Sequence, residues 1–152
     1  FCGDSHSLMD FKIVVVSEEE YDQWIENMGT PLATKPETAS AQEGKDLFEQ
    51  SCLSCHAIDG ATQKPAIGPN LTNFGNRTMI AGVLEHNKEE LVEWIYDPAS
   101  KKPGNGMLNA PYLQGGPGSE ISTEDAEKIA DYLLELKSTE VVPEFEPFED
   151  EN

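Results

Sequence analysis

Apolar positions along the chain fall into four helical periods. Tyr21, Trp24, Ile25 and Met28 recur at i, i+3, i+4 and i+7, which is one face of a short amphipathic helix. Ser17-Glu18-Glu19-Glu20 ahead of them is a capping box, with Ser17 as N-cap and Glu20 reaching back, and Gly29 closes the helix. Leu47 and Phe48 belong to a second helix, predicted to open at the capping box Ser40-Ala41-Gln42-Glu43 and to run to Cys52. Asn87-Lys88-Glu89-Glu90 begins a third, which carries Leu91, Trp94 and Ile95 and is stopped by Asp97-Pro98. Ala126, Ile129, Ala130, Leu133 and Leu136, behind a cap at Thr123 or Ser122, make the strongest period of all. Only Phe11-Lys12-Ile13-Val14-Val15-Val16 reads as a strand. Pro31 and Pro36, set among Thr and Ala, make the stretch 29–38 an extended linker without a core of its own. The pattern predicts an all-α body after that linker, preceded by one strand and one short helix in 1–28.

Charge narrows the partners. Ten Lys and Arg against 29 Asp and Glu give a net charge of -19, which sets nucleic acid and anionic membrane surfaces aside and favours a basic partner or simple solvation. Glu140, Glu144, Glu146, Glu149, Asp150 and Glu151 follow the last basic residue, Lys137, so 139–152 is an acidic tail, but the rest is acidic without it. The 152 residues suffice for one domain with a real core plus extensions. No apolar run approaches a membrane span, the longest aliphatic run being Ile13-Val14-Val15-Val16, and no signal peptide is recognisable. The chain opens at Phe1, without Met, in what reads as mid-domain sequence. A longer parent polypeptide is therefore expected, with any membrane connection running through spans upstream.

The chemistry is concentrated in Cys52-Leu53-Ser54-Cys55-His56, a C-x-x-C-H run, the attachment signature of a c-type haem. Two thiols at this spacing each add to one vinyl group, and the adjacent imidazole falls onto one face of the iron. A thioredoxin-like dithiol has no need of the following His. A structural zinc site needs a second ligand pair, and the only other cysteine is Cys2. A second constellation lies at the start: Cys2, then His6, then Met9, ahead of the predicted strand. Thiolate, imidazole and thioether are the ligand set that soft copper prefers, against the plainer reading of an exposed loop that happens to carry all three.

From 39 to 138 the order of elements resembles class I cytochrome c. Gly44 and Phe48 match the first-helix positions that cross the last helix near Tyr132 and Leu133 in that family, and Gly68-Pro69-Asn70-Leu71 matches the loop after the haem motif. The resemblance implies that the Pro69 carbonyl accepts a hydrogen bond from the proximal imidazole, fixing its tautomer. The stretch from Trp94 to Met107 looks like the family's sixth-ligand loop. Of four methionines, Met9 and Met28 lie outside this domain, Met79 sits in a semi-apolar stretch that suits core filling, and Met107 lies in a Pro-Gly-rich loop. The resemblance makes Met107 the sixth ligand, paired with His56. Arg77 and Trp94 are candidates for the haem propionates or the Met-side pocket, with surface charge and core packing as their plainer roles. His86 is expected to be a solvated surface residue.

The run Cys2-Gly3-Asp4-Ser5-His6-Ser7-Leu8-Met9 resembles the last half of the binuclear copper (CuA) loop of cytochrome c oxidase subunit II. The first Cys of that loop and the rest of the cupredoxin fold are missing, so copper is expected only in the intact parent. Both resemblances in one chain match subunit II of the caa(3)-type oxidases. That family implies electron transfer from a basic donor, such as a small cytochrome or a high-potential iron-sulfur protein, through haem c to the CuA domain and on to the catalytic subunit I, where dioxygen is reduced. It also implies the periplasmic or outer face of a bacterial cytoplasmic membrane. The alternatives are a free-standing soluble monohaem carrier with an N-terminal extension, and the haem domain of a dehydrogenase or peroxidase, which needs an open sixth position.

Overall fold

The computed structural model describes residues 4–8, 13–28, 35–58, 67–109 and 121–137. Five helices are present in them: α1 (Glu18–Met28), α2 (Ala39–Ser51), α3 (Lys88–Tyr96), α4 (Pro98–Lys101) and α5 (Thr123–Glu135). Short 3-10 turns lie at His6–Leu8, Phe74–Asn76 and Gly106–Asn109. Among the described residues one two-stranded ladder joins β1 (Met79–Ile80) to β2 (Leu84–Glu85), antiparallel, with Met79 opposite Glu85 and Ile80 opposite Leu84.

The frame is the crossing of α2 on α5, and it depends on a missing side chain. A Cβ on Gly44 would lie 1.9 Å from the backbone oxygen of Lys128, so only glycine lets the two helices approach this closely. Below that contact Phe48 packs edge-on to Tyr132 with ring centroids 5.7 Å apart. Ala126, Ile129, Ala130 and Leu133, the predicted face of α5, are all buried, and α3 adds Leu91 and Ile95 to the same core. At the rim, Lys128 pairs with Glu43 at 3.0 Å and with Glu124 at 2.9 Å. Partial burial alone would raise the Asp131 carboxyl, but the Lys88 ammonium and the Ser40 hydroxyl outweigh it and hold it below its ordinary range.

The caps follow the predicted chemistry with one exception. Ser17 and Glu20 close the α1 box, Ser17 N–H donating to Glu20 Oε2 at 2.8 Å. Asn87 caps α3 by accepting Glu90 N–H at 2.8 Å, and Ser122 with Asp125 forms a full box on α5. On α2, however, the N-cap is Thr38 and not Ser40: Thr38 Oγ1 accepts Ala41 N–H at 3.1 Å. Ser40 is already committed, its hydroxyl donating to Asp131 Oδ2 at 2.6 Å across the helix crossing, and Glu43 is drawn to Lys128.

The expected strand at 11–16 is corrected in its described part. Residues 13–16 form no ladder, whereas Met79–Ile80, which the sequence did not mark as strand, does, because a strand exists only where a second edge satisfies its N–H and C=O groups. Phe11 and Lys12 lie outside the described residues. Helix α1 forms as predicted, but Tyr21, Trp24 and Ile25 on its apolar face stay 52%, 44% and 49% exposed. Among the described residues no helix is long and apolar enough to cross a membrane.

Candidate haem site

Helix α2 delivers the C-x-x-C-H run directly. Cys52 is its C-cap, with its N–H bonded to Phe48 O, and the next turn closes through Cys55 N–H and His56 N–H on Cys52 O at 3.1 and 2.9 Å. That turn sets Cys52, Cys55 and His56 on the wall of one cavity of about 710 Å³. Burial, and then the neighbouring Cys55 sulfur, push the Cys52 thiol up to about 12. A thiol-disulfide exchange centre needs an attacking thiol of lowered pKa, so this environment is the opposite of a redox dithiol's.

His56 is nearly buried, and its Nδ1 lies 2.9 Å from the carbonyl oxygen of Pro69. A carbonyl only accepts, so Nδ1 carries the proton and the Nε2 lone pair is left for a metal. Pro69 is held in turn: Gly68 N–H donates to Cys55 O at 2.7 Å, and Leu71 N–H donates to Ala57 O at 2.8 Å. The loop after the motif is thus sewn back onto the motif itself.

The segment 102–107 brings Met107 and Lys102 to the same cavity. Met79, on β1, is not among the residues that line it. Trp94 projects from α3 to the cavity, half-buried. Arg77 lines it too. Its guanidinium donates to Asn70 O and lies 5.5 Å from the Phe74 ring centroid, and burial draws its pKa down from the ordinary value. The candidates Cys52, Cys55, His56, Pro69, Arg77, Trp94 and Met107 therefore share one cavity. Lys102 was missed, although two adjacent lysines in so acidic a chain were a visible signal. Asn105 also lines the cavity; it falls in the stretch that resembles the sixth-ligand loop, which gave it no role of its own.

These walls fit haem c. The volume is that of a cofactor pocket, the lining is largely apolar, two thiols and an imidazole of set tautomer sit on one segment, and Arg77 and Lys102 suit two carboxylates.

His86 is not the solvated residue expected. Its Nε2 lies 3.0 Å from Phe74 O and its ring is 5.3 Å from the Phe74 ring, so it braces the Phe74–Asn76 turn. Of the copper candidates, Cys2 and Met9 lie outside the described residues, and His6 is exposed in its 3-10 turn. Among the described residues no group of three or more His, Cys, Asp or Glu could hold a metal ion. The neighbouring Ser5 hydroxyl donates to Pro103 O.

The sequence profile of cytochrome c matches residues 41–137. The chain belongs to the cytochrome c family. It is similar to cytochrome c oxidase subunit 2 of Alkalihalophilus pseudofirmus, 44% identical over 140 residues that make up 91% of this chain and 38% of that protein. Against cytochrome c oxidase subunit 2 of Bacillus sp. (strain PS3) it is 39% identical over 142 residues, 90% of this chain and 37% of that one. The chain thus spans less than two-fifths of the length of these relatives. Cytochrome c-551 of Bacillus subtilis is 30% identical over 108 residues, 71% of this chain and 73% of its own.

Proposed function

We propose that this chain is the haem c region of a caa(3)-type cytochrome c oxidase subunit II, accepting electrons from a donor protein and passing them to a CuA centre in the same polypeptide. One observation carries the reading. The similarity to oxidase subunit 2 takes in 91% of the chain, well beyond the 41–137 that the cytochrome c profile covers, so the N-terminal stretch with α1 belongs to it as well. A free-standing carrier gives no reason for that. In this reading 1–28 ends the copper domain, 29–38 is the linker, 39–138 is the cytochrome c domain and 139–152 is the acidic tail.

Haem c, when bound, supplies a one-electron ferric/ferrous couple. Cys52 and Cys55 would hold it by two thioether bonds, and His56 and Met107 would ligate its iron. Pro69 keeps the imidazole oriented with Nδ1–H on its carbonyl, which raises the basicity of Nε2. The Met107 thioether favours the ferrous state and so a high potential. Arg77 and Lys102 balance the propionates, while Trp94 excludes water from the Met side. In the intact parent Cys2, His6 and Met9 join the copper ligands. The whole assembly is a proton-translocating oxidoreductase on the outer face of a bacterial cytoplasmic membrane, with the CuA domain and subunit I as partners and membrane contact only through upstream spans.

The linker makes the second transfer intramolecular. A linker of about ten residues spans on the order of 20 Å, which holds the two domains at an effective concentration on the order of mM. The test is rapid photochemical reduction of the haem in the full-length parent, followed by copper reduction. A rate independent of protein concentration is expected, and a rate that scales with concentration would favour the free-standing carrier.

A further inference from the structure

The segment 102–107 is held from within by one side chain. Asn105 is half-buried between exposed Pro103, Gly104 and Gly106. Its carboxamide nitrogen donates to the carbonyls of Pro98 at 2.9 Å and Lys102 at 2.7 Å, and its oxygen accepts the backbone N–H of Met107 at 2.8 Å. The orientation of the amide is decided by these partners, since the reverse would set its oxygen against two carbonyls and its NH2 against an N–H. Pro98 opens α4 and Lys102 caps its end, so Asn105 ties Met107 to a short helix. Lys102 anchors the far side, its Nζ donating to Ala81 O at 2.8 Å on the β1–β2 turn.

We infer that Asn105 is the positioning residue for Met107: it sets the backbone from which the thioether reaches the cavity. The inference rests on the proposed ligation by Met107. With the loop already ordered by three hydrogen bonds, the ligand bond forms without the entropy of ordering it. Only a carboxamide of this length supplies two donors and an acceptor together. Asn105→Asp keeps the size and the acceptor for Met107 N–H, but turns a carboxylate onto two carbonyl oxygens. Asn105→Ser is too short to bridge Pro98 and Met107.

Soft sulfur holds ferric iron less well than ferrous, so a loosened loop shows in the ferric state. The measurements are the weak near-red Met-to-iron band of the ferric holo chain and its titration with imidazole, which competes for the sixth position. Asn105→Asp and Asn105→Ser are each expected to weaken the band and to tighten apparent imidazole binding by on the order of tenfold, the factor that the lost hydrogen bonds represent. Wild-type band and imidazole affinity in both variants would overturn the inference, even if their unfolding midpoints fall. Met107→Ala, measured alongside, separates the two readings. If it abolishes the band while the Asn105 variants keep theirs, positioning alone is rejected; if the band survives it, ligation by Met107 is rejected and the inference with it.

Discussion

His56 is gripped from two sides, and one of them is an absence. Pro69 O takes its Nδ1 proton, while the ring lies where a side chain on Gly68 would be: a Cβ there would sit 2.8 Å from His56 Cε1 and 2.9 Å from Nδ1. The imidazole cannot stay in place against that contact, and the backbone of Gly68 is itself tied to Cys55 O. Gly68→Ala is expected to leave attachment through both cysteines intact, because the cysteine atom its Cβ would crowd is the Cys55 backbone oxygen, at 3.2 Å, and not a sulfur, but to turn the imidazole and cost about 1–3 kcal/mol. Denaturant titration of the holo chain reads the cost, and electron paramagnetic resonance of the ferric state reads the ring orientation. An unaltered spectrum with an unaltered midpoint would mean that the loop yields freely, in spite of its hydrogen bonds to Cys55 O and Ala57 O.

Among the elements, α2 and α5 carry the site because the motif hangs from the end of α2. Two effects compete at Gly44. Alanine is the better helix former by about 1 kcal/mol, yet its Cβ would meet the Lys128 oxygen at 1.9 Å and the Lys128 carbonyl carbon at 2.4 Å. These are backbone atoms of a packed helix and cannot swing aside. Overpacking therefore wins, and Gly44→Ala is expected to destabilise the chain by about 3 kcal/mol, visible as a lowered denaturation midpoint. The same crossing explains the shifted cap of α2. Ser40 has the right type for a cap, but Asp131 takes its hydroxyl, so Thr38 caps instead and donates its own hydroxyl to Glu135 Oε1 at 3.1 Å.

At the scale of the molecule the dominant property is the charge of -19, spread over the body and the tail. Such a surface steers a cationic donor and repels an anionic one, and transient electron-transfer encounters use small interfaces where charge acts on the association rate. Haem reduction by a basic donor is expected to slow about tenfold as salt shortens the Debye length from about 10 Å at 0.1 M to about 3 Å at 1 M. In the proposed oxidase parent, transfer onward to copper should change little over the same series. Stopped-flow reduction makes the comparison, and a flat first step would assign the acidity to solvation alone.

What the sequence determined by itself is what depends on near neighbours along the chain. The C-x-x-C-H spacing, the helical periods of α1, α3 and α5, and the boxes at Ser17 and Ser122 all act within a few residues, where the geometry of a helix or turn leaves little choice. The contact of Pro69 with His56, 13 residues apart, came only through the resemblance to class I cytochrome c, because no local rule pairs residues at that separation. Tertiary structure decided the rest. Ser40 met an aspartate 91 residues away, His86 found the Phe74 carbonyl, Lys102 reached the Ala81 carbonyl, and the ladder formed at Met79–Ile80 because Leu84–Glu85 offered it an edge that residues 13–16 lacked. A polar side chain takes whichever partner folding brings within about 3 Å. That partner is not written beside it in the chain.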